Sequence, residues 1–372
     1  DGENVIENCG NEAAVSGKLA GGIVGYNQVI AAIPTESNTI TRAKLLLPVV
    51  NDASGILTVT GQDSGTATVT LNDCANALNL TADAYVGGVV GWGEHLALNN
   101  AVNGAQYSVS KGVLHSSGSL LAQPAPSADA VTGNAAGGNI GYAGGSTTLD
   151  NCQNYAGVFH KQMAGGIAGY NAGIIKDCTQ NANLGTRQAG YTYIGGIAGV
   201  NAGKIQESTP KNVTISGEQA VGGVAGLNTH TIQDINNCIV TVQGSQAVGG
   251  LAGKNNGTVK NSTSLTVNVA ASGINAGGAV GQNSGTVQSV TVTGGSVQGS
   301  DAVGGLTGEN LGRVESCKTE AALTVRANQN AGAAVGSNAE NAVVSAGSYA
   351  GTVYAASSDA GGIAGVNAGS VE

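Results

Sequence analysis

Aromatic rings and charge are both scarce in this chain. Among 372 residues there are one Phe, one Trp and 10 Tyr, and charged residues make up 10%. A core of the ordinary globular kind uses more of each. Proline is nearly missing, at 5 residues, and the 62 glycines show no period of three, which excludes a collagen-like helix. Long runs of like charge are absent and 41% of residues are apolar, so a disordered chain does not fit. No apolar run reaches the roughly 18 residues of a membrane-spanning helix, and no signal peptide is visible. Lys and Arg are scattered singly in a chain of net charge −9, leaving no patch to displace counterions from a phosphate backbone. Nucleic acid is therefore not an expected partner. The chain starts at Asp1 without Met and stops mid-repeat at Val371 and Glu372, which reads as a piece trimmed from a longer protein.

What the chain does have is a repeat. Gly-Gly, once Gly-Ala, opens a block at Gly21, Gly87, Gly137, Gly165, Gly195, Gly222, Gly249, Gly277, Gly304, Gly332 and Gly361. From Gly165 onward the steps between blocks are 30, 27, 27, 28, 27, 28 and 29; the first two, 66 and 50, read as coils carrying insertions at about 28–72 and 94–135. Two residues after the first Gly stands an aliphatic (Ile167, Ile197, Val224, Leu251, Leu306, Ile363), six after it an Asn (Asn171, Asn201, Asn228, Asn255, Asn283, Asn310), and ten after it another aliphatic (Ile175, Ile205, Ile232, Val259, Val287, Val314). Apolar runs such as "VTISG" (213–217) and "LTVNV" (265–269) follow, and they alternate with the period of two that marks strands.

Three short strands per turn of about 28 residues, joined at Gly/Asn corners, predict an all-β fold. It is a single-stranded parallel β-helix, or β-solenoid, forming one domain over 1–372. Right-handed winding follows from the crossover preference of parallel strands. Dividing length by period predicts about 13 turns and a rod on the order of 60 Å long. The glycines are expected to supply φ > 0 and close backbone approach at corners. The Asn column is expected to form an inward structural ladder of stacked amides.

The blocks "GGIAGYNAGIIKDC", "GGIAGVNAGKIQES", "GGLAGKNNGTVKNS" and "GGLTGENLGRVESC" resemble the GLUG-motif repeats of bacterial cell-surface and secreted proteins, over most of 137–372 and more loosely at Gly21 and Gly87. These relatives include non-catalytic portions of immunoglobulin-A-cleaving metalloproteases. The resemblance implies an extracellular or cell-surface location and an adhesive or scaffolding role.

Signals for chemistry are few. No His-Glu-x-x-His occurs, and His95, His115, His160 and His230 stand alone and read as surface or loop residues. "GVNAGKI" (199–205) has the wrong spacing for a phosphate loop, and no calcium-loop pattern occurs, so no metal or cofactor is expected. The six cysteines lack metal-ligand spacing. Cys178 and Cys317 share a column with Ser208, Ser262 and Ser345, which reads as a tight inward position holding free thiols. Cys152 and Cys178 could stack on adjacent coils, where parallel side chains disfavour a disulfide. Asp177, Glu207 and Asn261 form one partial acid column, read as a solvated strand edge.

Five residues after the first Gly come Tyr26, Trp92, Tyr142 and Tyr170, and then Val200, Leu227, Lys254, Gln282 and Glu309. If positions two and six face inward, position five faces out. The first four then make an aromatic stripe able to stack on sugars or peptide backbone, unless the insertions cover it. On the same alternation Ala168, Ala198, Ala225, Ala252 and Val280 form a flat apolar outer strip, a candidate face for lateral self-association. The expectation is a non-catalytic binding or adhesion module, contacting glycan or host protein through the stripe, with Trp92→Ala plus Tyr142→Ala weakening binding but not folding. The alternatives are a polysaccharide-degrading β-helix enzyme and a spacer for a catalytic domain elsewhere.

Overall fold

The computed structural model describes residues 4–7, 10–11, 15–21, 24–27, 69–76, 80–93, 96–103, 106–107, 114–115, 119–121 and 135–372. Every regular element among them is a β-strand. The coil headed by Gly165 is representative. Gln162–Gly165 lies on a first face and Ala168–Asn171 on a second, while Ile174–Lys176 and Thr179–Gln180 turn along a third. Repetition stacks the first-face strands into an eleven-stranded sheet and the second-face strands into another, and joins the third-face strands in one 23-stranded sheet. The pairing of successive coils is parallel and in step, with Gly165 beside Gly195, then Gly222, then Gly249.

Eleven strands on a face, not 13, give a length of about 48 Å at ~4.8 Å per rung. The difference lies in the two long steps, each of which holds one coil with extra chain. The first extra segment follows Val24–Asn27 and ends before Val69–Asn72, which is already a third-face rung between Asn4–Glu7 and Leu96–Asn99. Residues 28–68 lie outside the described residues. Within 94–135, Leu96–Asn99 and Val102–Asn103 are rungs too, and Ser119–Leu121 pairs in parallel with Gly157–Phe159. Gln106–Tyr107 and Leu114–His115 form an antiparallel pair.

The core is a set of vertical files of small aliphatics. Ile167, Ile197, Val224 and Leu251 are fully buried in consecutive layers, and each amide nitrogen donates to the carbonyl of the next at 2.8–2.9 Å. Ile205, Ile232, Val259, Val287 and Val314 make a second buried file in strict register. β-Branched side chains suit such files because they are stiff and pack flat on a pleated surface.

The structure corrects two expectations about the repeat. The repeat glycines do not supply positive φ. That conformation falls on residues with side chains at two corners: Met163, Tyr193, Ala220, Ala247, Asn275 and Ala302 two residues before the first Gly, and Asp177, Glu207, Asp234 and Asn261 twelve after it. Close approach is what requires glycine. A Cβ on Gly165 would lie 1.9 Å from the carbonyl oxygen of Ala168, and one on Gly199 would lie 2.5 Å from the carbonyl carbon of Met163. First and second faces therefore meet backbone to backbone, with no room between them for side chains. For the same reason Ala168, Ala198, Ala225, Ala252 and Val280, expected as an outer apolar strip, are each 0% exposed. The pairing between coils skips the glycine that follows, such as Gly169, so this position turns into the core although it lies two residues before an outward one, which removes the basis for lateral self-association through it.

Candidate functional site

The aromatic stripe exists as a vertical file on the second face. Main-chain register places Tyr26 beside Trp92, Trp92 beside Tyr142 and Tyr142 beside Tyr170; the side chain of Tyr26 lies outside the described residues. Trp92, Tyr142 and Tyr170 are half-buried, as outward positions beside a neighbouring wall would be. Their rings lie on one another. Trp92 and Tyr142 stack at 4.1 Å with 21° between planes, and Tyr142 and Tyr170 at 5.0 Å with 3°. Tyr85 comes across from the first face and meets Trp92 edge-on at 4.8 Å and Tyr142 at 5.7 Å. Desolvation by burial, with the neighbouring Tyr170 second, raises the pKa of the Tyr85 phenol.

This geometry changes what the stripe can do. Rings stacked one rung apart turn their faces along the rod axis, so both faces of Tyr142 and one each of Trp92 and Tyr170 are taken, and the outside sees edges. The stripe is a stacked ladder, not a row of open platforms. Removing Trp92 and Tyr142 together would also take apart a four-ring cluster, so lost binding in that double variant would not separate contact from folding.

Tyr85 is absent from the sequence-predicted site. It stands two residues before Gly87, in the column that later holds Met163, Tyr193 and Asn275. The signal was available in the alignment of the blocks, but only the fold shows that this column runs beside position five. The seam recurs in polar form further along, where Glu309 Oε2 accepts from Gln282 Nε2 at 2.8 Å and from Asn275 Nδ2 at 2.9 Å.

The Asn column lies inside. Asn171, Asn201, Asn228, Asn255, Asn283, Asn310 and Asn338 are all 0% exposed. Each Nδ2 donates to the Oδ1 of the next Asn, at 2.8, 2.7, 2.7, 2.8, 2.9, 2.8 and 2.8 Å, the last to Asn367. The second amide proton goes to nearby carbonyls, such as that of Gly203 for Asn201 at 3.0 Å. Donors and acceptors are thus consumed within the stack. A second amide file, Asn103 to Asn154 to Gln180 at 2.7 Å per step, runs through the earlier coils.

Cys74, Cys152, Cys178, Cys238 and Cys317 are free and buried, while Cys9 lies outside the described residues. The backbone amide of Cys152 donates to Cys178 Sγ at 3.3 Å, and that of Cys178 to Ser208 Oγ at 3.0 Å, so this column accepts a hydrogen bond from the coil before. Ser345 is not in it; extra residues after Asn338 shift it beside Glu315. Desolvation pushes the Cys238 thiol up to about 12 and Cys317 to about 11.

His160 is no surface residue. It is 1% exposed, Nδ1 is engaged at Gln162, and burial lowers its pKa. Side chains of His95 and His115 lie outside the described residues. Asp177, Glu207 and Asn261 are exposed left-handed corners, each at φ 52°, and Asp177 pairs with Lys176 at 3.2 Å. Among the described residues no cluster of three or more His, Cys, Asp or Glu could hold a metal, and no helix is long and apolar enough to cross a membrane.

No protein-family description matches the chain, and neither does any curated protein or solved structure.

Proposed function

We propose that this chain is a non-catalytic β-solenoid module of a bacterial cell-surface or secreted protein, acting in adhesion by binding glycan or host protein along its side. One observation carries the reading. On the third face Thr214, Thr241, Asn268, Ser296, Thr324 and Thr352 stand in register over six successive rungs, all outward and partly or fully exposed. A file of hydroxyls and an amide repeating every ~4.8 Å suits an extended polymer, because it offers polar groups at each rung without the desolvation cost of charge, although Ser296 already donates to Asn268 Oδ1 at 3.2 Å within the file. The likeness to GLUG-motif repeats supports the surface or secreted setting. Trp92, Tyr142 and Tyr170 enter as a lesser contact, through ring edges, with Tyr26 next to them in the same column.

The test uses the whole chain on a glycan array and on immobilised extracellular-matrix proteins. Binding that falls at least about ten-fold in the triple variant Thr214→Ala, Thr241→Ala, Thr324→Ala, with an unchanged circular dichroism spectrum, supports the module; one lost hydrogen bond of about 1 kcal/mol per site accounts for that size. No binding by the wild type, or release of unsaturated or reducing ends from uronate polymers, sinks it.

A further inference from the structure

We propose that the depression around Arg326 and Tyr354 is a binding subsite for a carboxylated sugar. The proposal rests on the glycan-binding reading and names the ligand class. Beside the hydroxyl file runs a second outward file, in which Gln298, Arg326 and Tyr354 occupy three successive rungs in register. All three are exposed. With Asn328 they rim a depression of about 230 Å³ floored by Gly299 and Ala327. The floor is low because those two positions face inward, Ala327 packing in the core and a Cβ on Gly299 pointing at Val303 and Ala276, so the outward groups beside them stand up as walls.

The chemistry of the rim is selective. Tyr354, on the last rung of this file, stands outward, and the stacking that consumes Trp92, Tyr142 and Tyr170 does not reach it. It therefore offers what the aromatic stripe cannot, an open ring surface for the apolar face of a sugar. Arg326 takes part in neither ion pair found among the described residues, Lys176–Asp177 and Arg313–Glu315. Its guanidinium is a planar fork of donors with no acid in ion-pair range among the described residues, and a carboxylate is the partner that fits such a fork bidentately. Gln298 and Asn328 add amides on either side, suited to ring hydroxyls. Gln298 to Tyr354 spans two rungs, about 10 Å, the reach of one or two sugar rings. A neutral glycan would leave the guanidinium unmatched, and a bare carboxylate would leave the tyrosine unused. An acidic sugar uses both.

Calorimetric titration of the whole chain tests this with three probes: trigalacturonate, 3′-sialyllactose and neutral galactotriose. The first two separate a uronate from a sialate as the source of the carboxylate. At least one of them is expected to bind ten-fold or more tighter than galactotriose. That preference should fall about ten-fold or more in Arg326→Ala and in Tyr354→Ala, the size of one charge-assisted or stacking contact. Arg326→Lys should recover only some of it, since an ammonium cannot fork, and Lys204→Ala, a cation removed elsewhere, should change nothing. All three positions are at the surface, and a circular dichroism melt checks that each variant folds. Equal binding of acidic and neutral probes, or wild-type affinity in Arg326→Ala, overturns the subsite. If that happens while the Thr-file variant still loses binding on the array, the subsite alone falls. If the chain binds neither glycan nor matrix protein, the module reading falls with it.

Discussion

At the scale of single residues the fold depends on what is missing from a side chain as much as on what is present. Gly226 and Gly145 look alike in the sequence. A Cβ on Gly226 would sit 2.3 Å from the carbonyl carbon and 2.5 Å from the Cα of Tyr193, whereas one on Gly145 would meet nothing within 4 Å. Backbone cannot swing aside as a side-chain tip can, so Gly226→Ala must push the first and second faces of the rod apart. We expect it to cost more than about 3 kcal/mol or to abolish soluble expression, and Gly145→Ala to shift the melting temperature by no more than a degree or two; equal effects would refute the close-approach account. The buried thiols act in the opposite direction, by keeping water out. Cys238 and Cys317 titrate near 12 and 11 in the fold against an ordinary value of 9.0. Their folded pKa values are raised, so the stability they lend is fully present below pH 9 and is lost as pH climbs towards 11–12. Denaturant midpoints should fall over that window, and Cys238→Ala with Cys317→Ala should flatten the fall. A thiol reagent at pH 8 should label neither until the chain unfolds.

At the scale of the strand, side-chain alternation was legible and its interruptions were not. The period of two told correctly that Trp92, Tyr142 and Tyr170 leave the core and that Ile167 and Asn171 enter it. It failed at Ala168, which precedes the outward Tyr170 by two residues in one strand yet is buried: the pairing between coils skips Gly169 between them, where a Cβ would run into first-face backbone, so alternation is broken at that glycine. The ring stack was unreadable for a related reason. Letters give which residues share a column, but face-to-face packing follows from the rung spacing, and Tyr85 arrives from another face altogether. The polar subsite at Arg326 was missed because Gln298, Arg326 and Tyr354 share no residue type; only register joins them. The stack has a direct consequence. Tyr142 touches Tyr85, Trp92 and Tyr170, so Tyr142→Ala gives up three ring contacts of about 0.5–1.5 kcal/mol each. Trp92 is the sole tryptophan, so its emission reports on this element alone. Tyr142→Ala should shift that emission to the red in the folded protein and, from the sum of those contacts, lower stability by about 2 kcal/mol or more. An unshifted spectrum would mean that the rings are not stacked in solution.

At the scale of the whole molecule, stability is close to a sum over coils and the contacts between neighbours, so length is adjustable provided phase is kept. Deleting 222–248 removes one full coil. It joins Val221 directly to Gly249, the junction that Val248 makes in the intact chain. Every file then closes on a like residue: Ile197 would meet Leu251, Ile205 would meet Val259, Asn201 would hand its amide to Asn255, and Ser208 would come to Ser262. Val213, which sits beside Val240 and through it Val267 in the intact rod, would lie on Val267. The shortened chain should fold to the same β-type circular dichroism spectrum and measure about 5 Å less along its axis by small-angle scattering. Deleting 222–241 instead stops short of a whole coil and puts each of those files out of phase at once. The Asn column shows the cost most clearly. Asn201 would lose its partner while staying buried, at about 1–3 kcal/mol for one stranded amide, and the aliphatic files on either side would face mismatched side chains. That protein should fail to fold past the junction. If the two deletions behaved alike, the layers would not be held by matched columns, and both the hydroxyl file and the Arg326 subsite would lose the register that assembles them.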